Sequence, residues 1–239
     1  MNLLIDGLLW IFDPAHYGTT NGISVRTAEH LGISAAVLLI TVVIAVPLGY
    51  LIGHSGRGRG VVVALSGGVR ALPTLGLIAV LALTLGIGLE APLIALIILA
   101  IPSVLAGAYS GFEAVDRRTI DAARAMGMTE WQIVVKVEIP LGLPLLVGGV
   151  RSAALQVIAT ATLADYIGGG GLGHYIFAGQ QTGDYPQMLA GSILVVALAL
   201  LSEGLFELIQ RRVVPAAFSA GRLRKVRERS IRASAAAGS

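Results

Sequence analysis

Asp121-Ala122-Ala123-Arg124-Ala125-Met126-Gly127, followed ten residues later by Val137-Glu138-Ile139-Pro140, is a polar, helix-forming island between long apolar stretches. Its order is informative. Asp116 is a good helix N-cap, and an acid there also favours the positive end of a helix. Arg117 to Met126 is a helix-favouring run. Gly127 suits the left-handed position after a helix end. Thr129-Glu130-Trp131-Gln132 has capping-box form, so a second short helix starts there. Pro140 and Pro144 then mark the return into apolar sequence. The reading is helix, tight turn, second helix, held outside the apolar bulk. Ala122 and Ala123 are small enough for a partner's backbone to come close, and Arg118 and Arg124 can pair with acids on it.

Outward from this island the chain is built for lipid. Of 239 residues, 55% are hydrophobic and 13% charged, and mean hydropathy is +0.82; a soluble domain carries about 25% charged residues. Crossing a bilayer takes roughly 20 apolar residues. No Asp, Glu, Lys or Arg occurs between Glu29 and Arg57, between Arg70 and Glu90, or between Glu90 and Glu113. Leu141 to Ala164 carries only Arg151, and 186–209 carries Glu203 and Glu207 near its end. These gaps predict an all-α membrane protein with five transmembrane helices at about 31–53, 65–87, 91–112, 141–165 and 187–209. They leave an external segment over 1–30, a transmembrane domain over 31–210 with its loop at 113–140, and a basic tail over 211–239.

Lysine and arginine set the orientation. Arg57 and Arg59, then Arg117, Arg118, Arg124 and Lys136, then the arginines of the tail fall on one side of a five-helix chain. Asp6, Asp13, Glu29, Glu90 and Asp184 fall on the other. The N-terminus is expected outside, and the C-terminus and the Asp121 loop in the cytoplasm. The net charge of +3 is thereby explained by topology, and nucleic acid is not an expected partner. The tail is expected along anionic headgroups, with no fixed structure at its end. With no cysteine, disulfides and thiol chemistry are excluded. The four histidines are scattered without metal-like spacing and read as interfacial residues. No catalytic constellation is visible, so the chain is not expected to be an enzyme.

Several spans carry special residues. Ser24 to His30 reads as a short interfacial helix, and Pro47 is expected to kink the first span. Arg70-Ala71-Leu72-Pro73 breaks the second span; Arg70 is expected to snorkel to the surface. Pro73 is compatible with a solute path or with a structural kink. Gly49/Gly53 and Gly107/Gly111 have the small-x-x-x-small spacing of close helix approach, at chance-level frequency in so glycine-rich a chain. Arg151 lies well inside the fourth span, placed to reach the cytoplasmic side or Glu138. Asp165-Tyr166-Ile167-Gly168-Gly169-Gly170-Gly171-Leu172-Gly173 lacks the lysine and hydroxyl residue of a phosphate loop. It allows a re-entrant turn at the outer mouth. An external gate, a seat for a soluble binding protein and a plain flexible loop all remain open.

Asp121, Ala122, Ala123, Gly127, Val137, Ile139 and Pro140 also resemble the EAA signature of binding-protein-dependent ABC importer permeases, with Asp121, Val137 and Ile139 in place of the usual glutamate, isoleucine and leucine. The resemblance covers nearly all of 24–215. Segments 69–77 and 161–173 look most like the osmoprotectant branch, which moves glycine betaine, carnitine, choline and related quaternary amines. It implies a type I importer permease bundle with a methionine-importer-like fold in a bacterial or archaeal cytoplasmic membrane. It implies docking to ABC ATP-binding subunits through Asp121, Ala122, Ala123, Arg124, Gly127 and Pro140. A path or gate then involves Arg70, Pro73, Arg151, Asp165, Tyr166, Gly169 and Gly170. Further implied partners are an extracytoplasmic substrate-binding protein, which holds most of the selectivity, and a second permease chain, a copy or a paralogue. No cofactor is expected in this chain; ATP and magnesium belong to the partner ATPase. A quaternary ammonium calls for an aromatic cage, and only 5% of the chain is aromatic. Tyr166, Tyr175, Phe177 and Tyr185 cluster near the glycine loop, where such residues also form interfacial belts.

Overall fold

The computed structural model of the protein describes residues 2–55 and 58–213; Arg57 and the basic tail beyond 213 lie outside them. Every regular element among the described residues is helical. The order is α1 (Leu3–Phe12), α2 (Ile23–Ser55), α3 (Arg59–Arg70), α4 (Thr74–Leu85), α5 (Glu90–Glu113), α6 (Arg117–Ala125), α7 (Glu130–Ile133), α8 (Ile139–Thr160), α9 (Gly173–Thr182) and α10 (Tyr185–Val213). Among the described residues, four segments are long and apolar enough to cross a membrane: Ile23–Ser55, Glu90–Glu113, Glu130–Ile167 and Tyr185–Arg212. They coincide with four of the five expected spans. The other, 65–87, consists of α3 and α4, each 12 residues long. Either alone reaches only roughly 18 Å, so a crossing here needs both. The break falls at Ala71–Pro73, where Pro73 takes an extended conformation and caps α4.

Other boundaries moved for local reasons. Ser24 to His30 is no separate interfacial helix; it forms the first turns of α2, which runs unbroken through Pro47 over 33 residues. The second helix of the polar loop is continuous with α8 through a π-helical turn at Val134–Glu138. At Pro140 the ring would crowd the carbonyl four residues back and supplies no N–H; the wider turn just before it relieves both. The fourth span tightens after Thr160 into a 3-10 turn over Ala161–Ile167. The segment after the glycine loop, read as an external loop, contains α9.

The core sits on α5, packed between α2 and α8 with α3 and α4 alongside. Leu96, Ala100, Val104, Val37 and Val157 are buried together there. Lipid supplies no hydrophobic force between helices, so close backbone approach must hold them. The small-residue pairs serve that end. A Cβ on Gly49 or Gly53 would lie 2.5 Å from Ala108 Cβ or 2.6 Å from Phe112 Cβ on α5. On the other side, Gly107 faces Gly149, and Gly111 faces Gly142. Lipid-like exposure continues around the outside: Leu83 is 87% and Leu201 72% exposed. A second cluster joins Ile23, Leu172, Tyr175 and Val195 to Trp10, so α1 packs against α10 and α9.

Candidate functional site

The polar loop forms one folded unit. Asp116 Oδ1 accepts from the Arg118 N–H at 2.9 Å, which starts α6. Gly127, at φ 82°, ends it. The Gly127 N–H donates to the Arg124 carbonyl at 2.9 Å and the Met128 N–H to the Ala123 carbonyl at 3.2 Å. This is a complete Schellman motif, with the apolar contact that accompanies it, Met128 against the Ile120–Ala123 cluster. Thr129 and Gln132 then form a reciprocal capping box at 3.3 and 3.0 Å. Arg124 ties the two helices together by a two-pronged bond to Glu130, at 2.7 and 3.1 Å, and lies 3.5 Å from Asp121. The hydrogen bond to Glu130 raises the guanidinium further above its already high ordinary value.

Two expectations change here. Ala123 is 2% exposed and packs inward on Ile120 and Ile133, so only Ala122 offers the close approach. Arg124 already has its acid within this chain. The exposed residues of the unit include, with Ala122, Met126 one helical turn further along α6 and Trp131 on α7, 76% and 74% exposed. Sequence reasoning missed both, because the same loop also holds Ile120, Met128 and Ile133, and only packing decides which apolar side chains are covered.

The unit is fastened to the bundle. His54 at the end of α2 lies 2.9 Å from the buried Glu138 carboxylate and 3.8 Å from Glu130. A cavity of about 410 Å³ opens beside this contact, lined by His54, Tyr109, Phe112, Arg117, Arg124 and Glu138 among others. Arg151, expected to reach Glu138 or the surface, pairs across to α10: its Nε donates to Glu203 at 2.9 Å, its Nη2 to the other carboxylate oxygen, and its Nη1 to Gln210 at 2.9 Å. Glu138 is taken by His54, and Glu203 occupies the helix that packs on α8. Arg151→Met leaves Glu203 unpaired inside a span, which is costly. The variant is expected to lower the melting temperature of the detergent-purified chain, and adding Glu203→Met to recover most of the loss. A double variant no more stable than the single one contradicts this pairing.

Arg70 donates to Ser103 at 3.4 Å, Ser103 to Gln156 at 3.3 Å, and Gln156 to the Leu99 carbonyl at 3.1 Å. Arg70 thus joins α3 to α5 and α8 while the residue itself stays exposed. Leu75, two residues after Pro73, lines the same cavity as Asp165 and Tyr166. The expected path residues therefore separate: Arg151 belongs with α10, Arg70 with the centre of the bundle, and Asp165, Tyr166, Gly169 and Gly170 with the far end.

At that far end the glycine loop is pinned. Gly168, Gly170 and Gly171 have φ of 78°, 82° and 85°. The Gly171 N–H donates to Glu29 at 3.0 Å, and Glu29 accepts from Arg26 at 2.8 Å. The Leu172 N–H donates to His30 Nδ1 at 3.3 Å, so the neutral ring carries its proton on Nε2, 2.9 Å from the Ile158 carbonyl. His30 is fully buried, a correction to its reading as an interfacial residue. A plain flexible loop is excluded by these bonds to α2. Tyr175 on α9 donates to the Asn21 carbonyl at 2.6 Å, and burial pushes its hydroxyl up to about 12, which keeps the proton in that bond. Asp165 lies 3.5 Å from His174, and Tyr166 meets Phe177 edge to face at 5.7 Å.

With this geometry in hand, comparisons with known proteins are specific. Residues 45–215 match the family described as binding-protein-dependent transport system inner membrane component. The glycine betaine/carnitine/choline transport system permease protein OpuCB of Bacillus subtilis is 33% identical, over 82% of this chain and 91% of that protein. The carnitine transport permease protein OpuCB of Listeria monocytogenes is 37% identical, over 83% and 91%. An inward-facing structure of the MetNI methionine ABC transporter superposes with a TM-score of 0.68 at 26% identity, over 80% of this chain and 95% of that one.

Proposed function

The chain belongs to the binding-protein-dependent transport system inner membrane component family, and from that premise we propose that it is the membrane-crossing subunit of an ATP-driven importer of quaternary-amine osmoprotectants such as glycine betaine, carnitine and choline. The observation that carries the coupling role is the rigid α6–α7 unit with Ala122, Met126 and Trp131 on its surface. In this reading that surface docks on an ABC ATP-binding subunit, which holds the ATP and magnesium. An extracytoplasmic binding protein delivers solute at the glycine-loop end, and a second permease chain completes the path. The arginine-rich side, with the Asp121 loop, faces the cytoplasm, and the N-terminus is outside.

The mechanism follows from how the unit is fastened. ATP-driven closure of the ATPase pair moves α6. Arg124–Glu130 makes α7 move with it, and α7 is continuous with α8. His54–Glu138 passes the same motion to α2. These are the two helices that anchor the glycine loop, α8 through its 3-10 extension and α2 through Glu29 and His30. A tilt at the cytoplasmic end is thereby transmitted to the external end, where Gly169 and Gly170 form the turn.

The test is uptake of labelled glycine betaine, choline and carnitine by cells stripped of their own osmoprotectant importers and supplied with this chain and its operon partners. ATP-dependent uptake of at least one, indifferent to collapse of the ion gradients, is expected. Uptake of an amino acid and of no quaternary amine would overturn the substrate class. Uptake driven by an ion gradient without ATP would overturn the importer reading.

A further inference from the structure

An open vestibule of about 700 Å³ lies at the glycine-loop end, between the start of α4, the 3-10 turn after α8, and α9. Leu75, Asp165, Tyr166, His174, Phe177 and Gln181 are among its lining residues. In a sequence with only 5% aromatic residues, two rings meet here, Tyr166 and Phe177, with planes inclined at 62°. Tyr166 is 57% exposed. A carboxylate stands beside them: the Asp165 side chain is only 13% exposed, so water screens it weakly. His174 is its one charged-capable neighbour in the lining, 3.5 Å away.

We propose that Asp165, Tyr166 and Phe177, with Leu75 lining the same vestibule, form a binding subsite in this chain for a quaternary ammonium head group. The proposal rests on the osmoprotectant reading above and deepens it. A trimethylammonium group has no N–H to donate, so a hydrogen-bonding pocket cannot select it. It is held by ring faces within about 6 Å and by an anion at the same place. Tyr166 and Phe177 supply the rings, Asp165 the charge, and Leu75 apolar contact for the methyl groups. Gln180 and Gln181, on the same wall, carry amide donors for the carboxylate or hydroxyl at the ligand's other end. The same chemistry explains a division of labour between Gly169–Gly170, which form the turn, and Asp165–Tyr166, which precede it and face the vestibule. A solute leaving a binding protein would meet this subsite before the helices part.

The experiment is ligand-observed saturation-transfer NMR on the assembled permease–ATPase complex in nanodiscs, without binding protein. The probes are choline and 3,3-dimethylbutan-1-ol, its neutral carbon isostere. Choline is expected to bind at least about tenfold more tightly than the isostere, a ratio in the range of one cation–π contact aided by an anion. Asp165→Asn and Tyr166→Leu are each expected to weaken choline by about tenfold, whereas Tyr166→Phe, which keeps the ring, stays within about twofold. Equal binding of choline and the isostere to the unmodified complex overturns the proposal even if a variant fails to assemble. Unchanged choline binding in assembled Asp165→Asn and Tyr166→Leu complexes does the same. Cellular uptake separates the two levels: quaternary amines transported with no vestibule selectivity sinks the subsite alone, whereas no quaternary amine transported at all sinks the reading it rests on.

Discussion

Replacing Gly127 with valine is expected to cut ATP-driven uptake by about tenfold or more while leaving membrane insertion intact. Gly127 sits at φ 82°, and no atom lies within 4 Å of where its Cβ would be. The penalty is therefore purely conformational. A residue with a Cβ in the left-handed region costs roughly 1–2 kcal/mol, and a β-branched one is a genuine outlier there. The chain escapes by giving up the turn. That breaks the Gly127–Arg124 and Met128–Ala123 hydrogen bonds, releases Met128 from Ile120, and swings α7 away from Arg124. The residues proposed to dock the ATPase, Ala122, Met126 and Trp131, come from both sides of that turn. Uptake should fall by about tenfold or more, in line with a loss near 1.4 kcal/mol in coupling. Gly127→Asn should retain most activity, because asparagine tolerates the left-handed region. Uptake by the valine variant at the unmodified rate would remove the turn from the coupling mechanism.

The second large effect is expected at the centre of the bundle. In Gly111→Val the Cβ would lie 2.7 Å from the Gly142 carbonyl oxygen, and in Gly107→Val it would lie 2.8 Å from Gly149 Cα. Both obstacles are backbone, so no rotamer change relieves them and α5 must move off α8. Overpacking of this kind costs about 1–3 kcal/mol or more. The melting temperature of the purified chain should fall by at least about 5 °C. Gly148→Ala is the control: it adjoins Gly149 on α8 but has nothing within 4 Å of the added methyl group, so it should melt like the parent. Equal melting of Gly111→Val and Gly148→Ala would contradict the close α5–α8 contact.

What could be read from the sequence was what depends on near neighbours in the chain. The caps at Asp116 and Thr129 and the stop at Gly127 are local arrangements, and the structure has all three. The charge gaps located four spans, and Pro73 marked the break in the remaining crossing. Pairings over long separations were not legible. Arg151 and Glu203 are 52 residues apart, His54 and Glu138 are 84, and Leu172 and His30 are 142. Each depends on which helix lies beside which, and helix length and polarity do not encode that. Ala123 and Ala122 illustrate the limit at one position: adjacent alanines in a helix face different ways, and only the packing of Ile133 decides which is covered. α9 was missed because Gly173 and Gly179 weaken its helical signal. Both positions need the missing side chain, since a Cβ at Gly179 would lie 2.7 Å from the Asp184 carbonyl and one at Gly173 would collide with the Thr162 carbonyl. The glycine spacing of Gly107 and Gly111 looked no better than chance because its significance lies in Gly149 and Gly142, more than thirty residues on.

The central claim, that the α6–α7 unit is where an ATPase holds this chain, is tested most directly by co-purification. The tagged chain is extracted from its native membrane in mild detergent, and its companions are identified by mass spectrometry. Recovery of a P-loop ATPase, lost when Ala122 and Met126 are each replaced by aspartate and the chain still folds, is the predicted result. An ATPase retained in full by that variant, or the chain recovered alone as a stable oligomer under conditions that preserve known complexes, would contradict it.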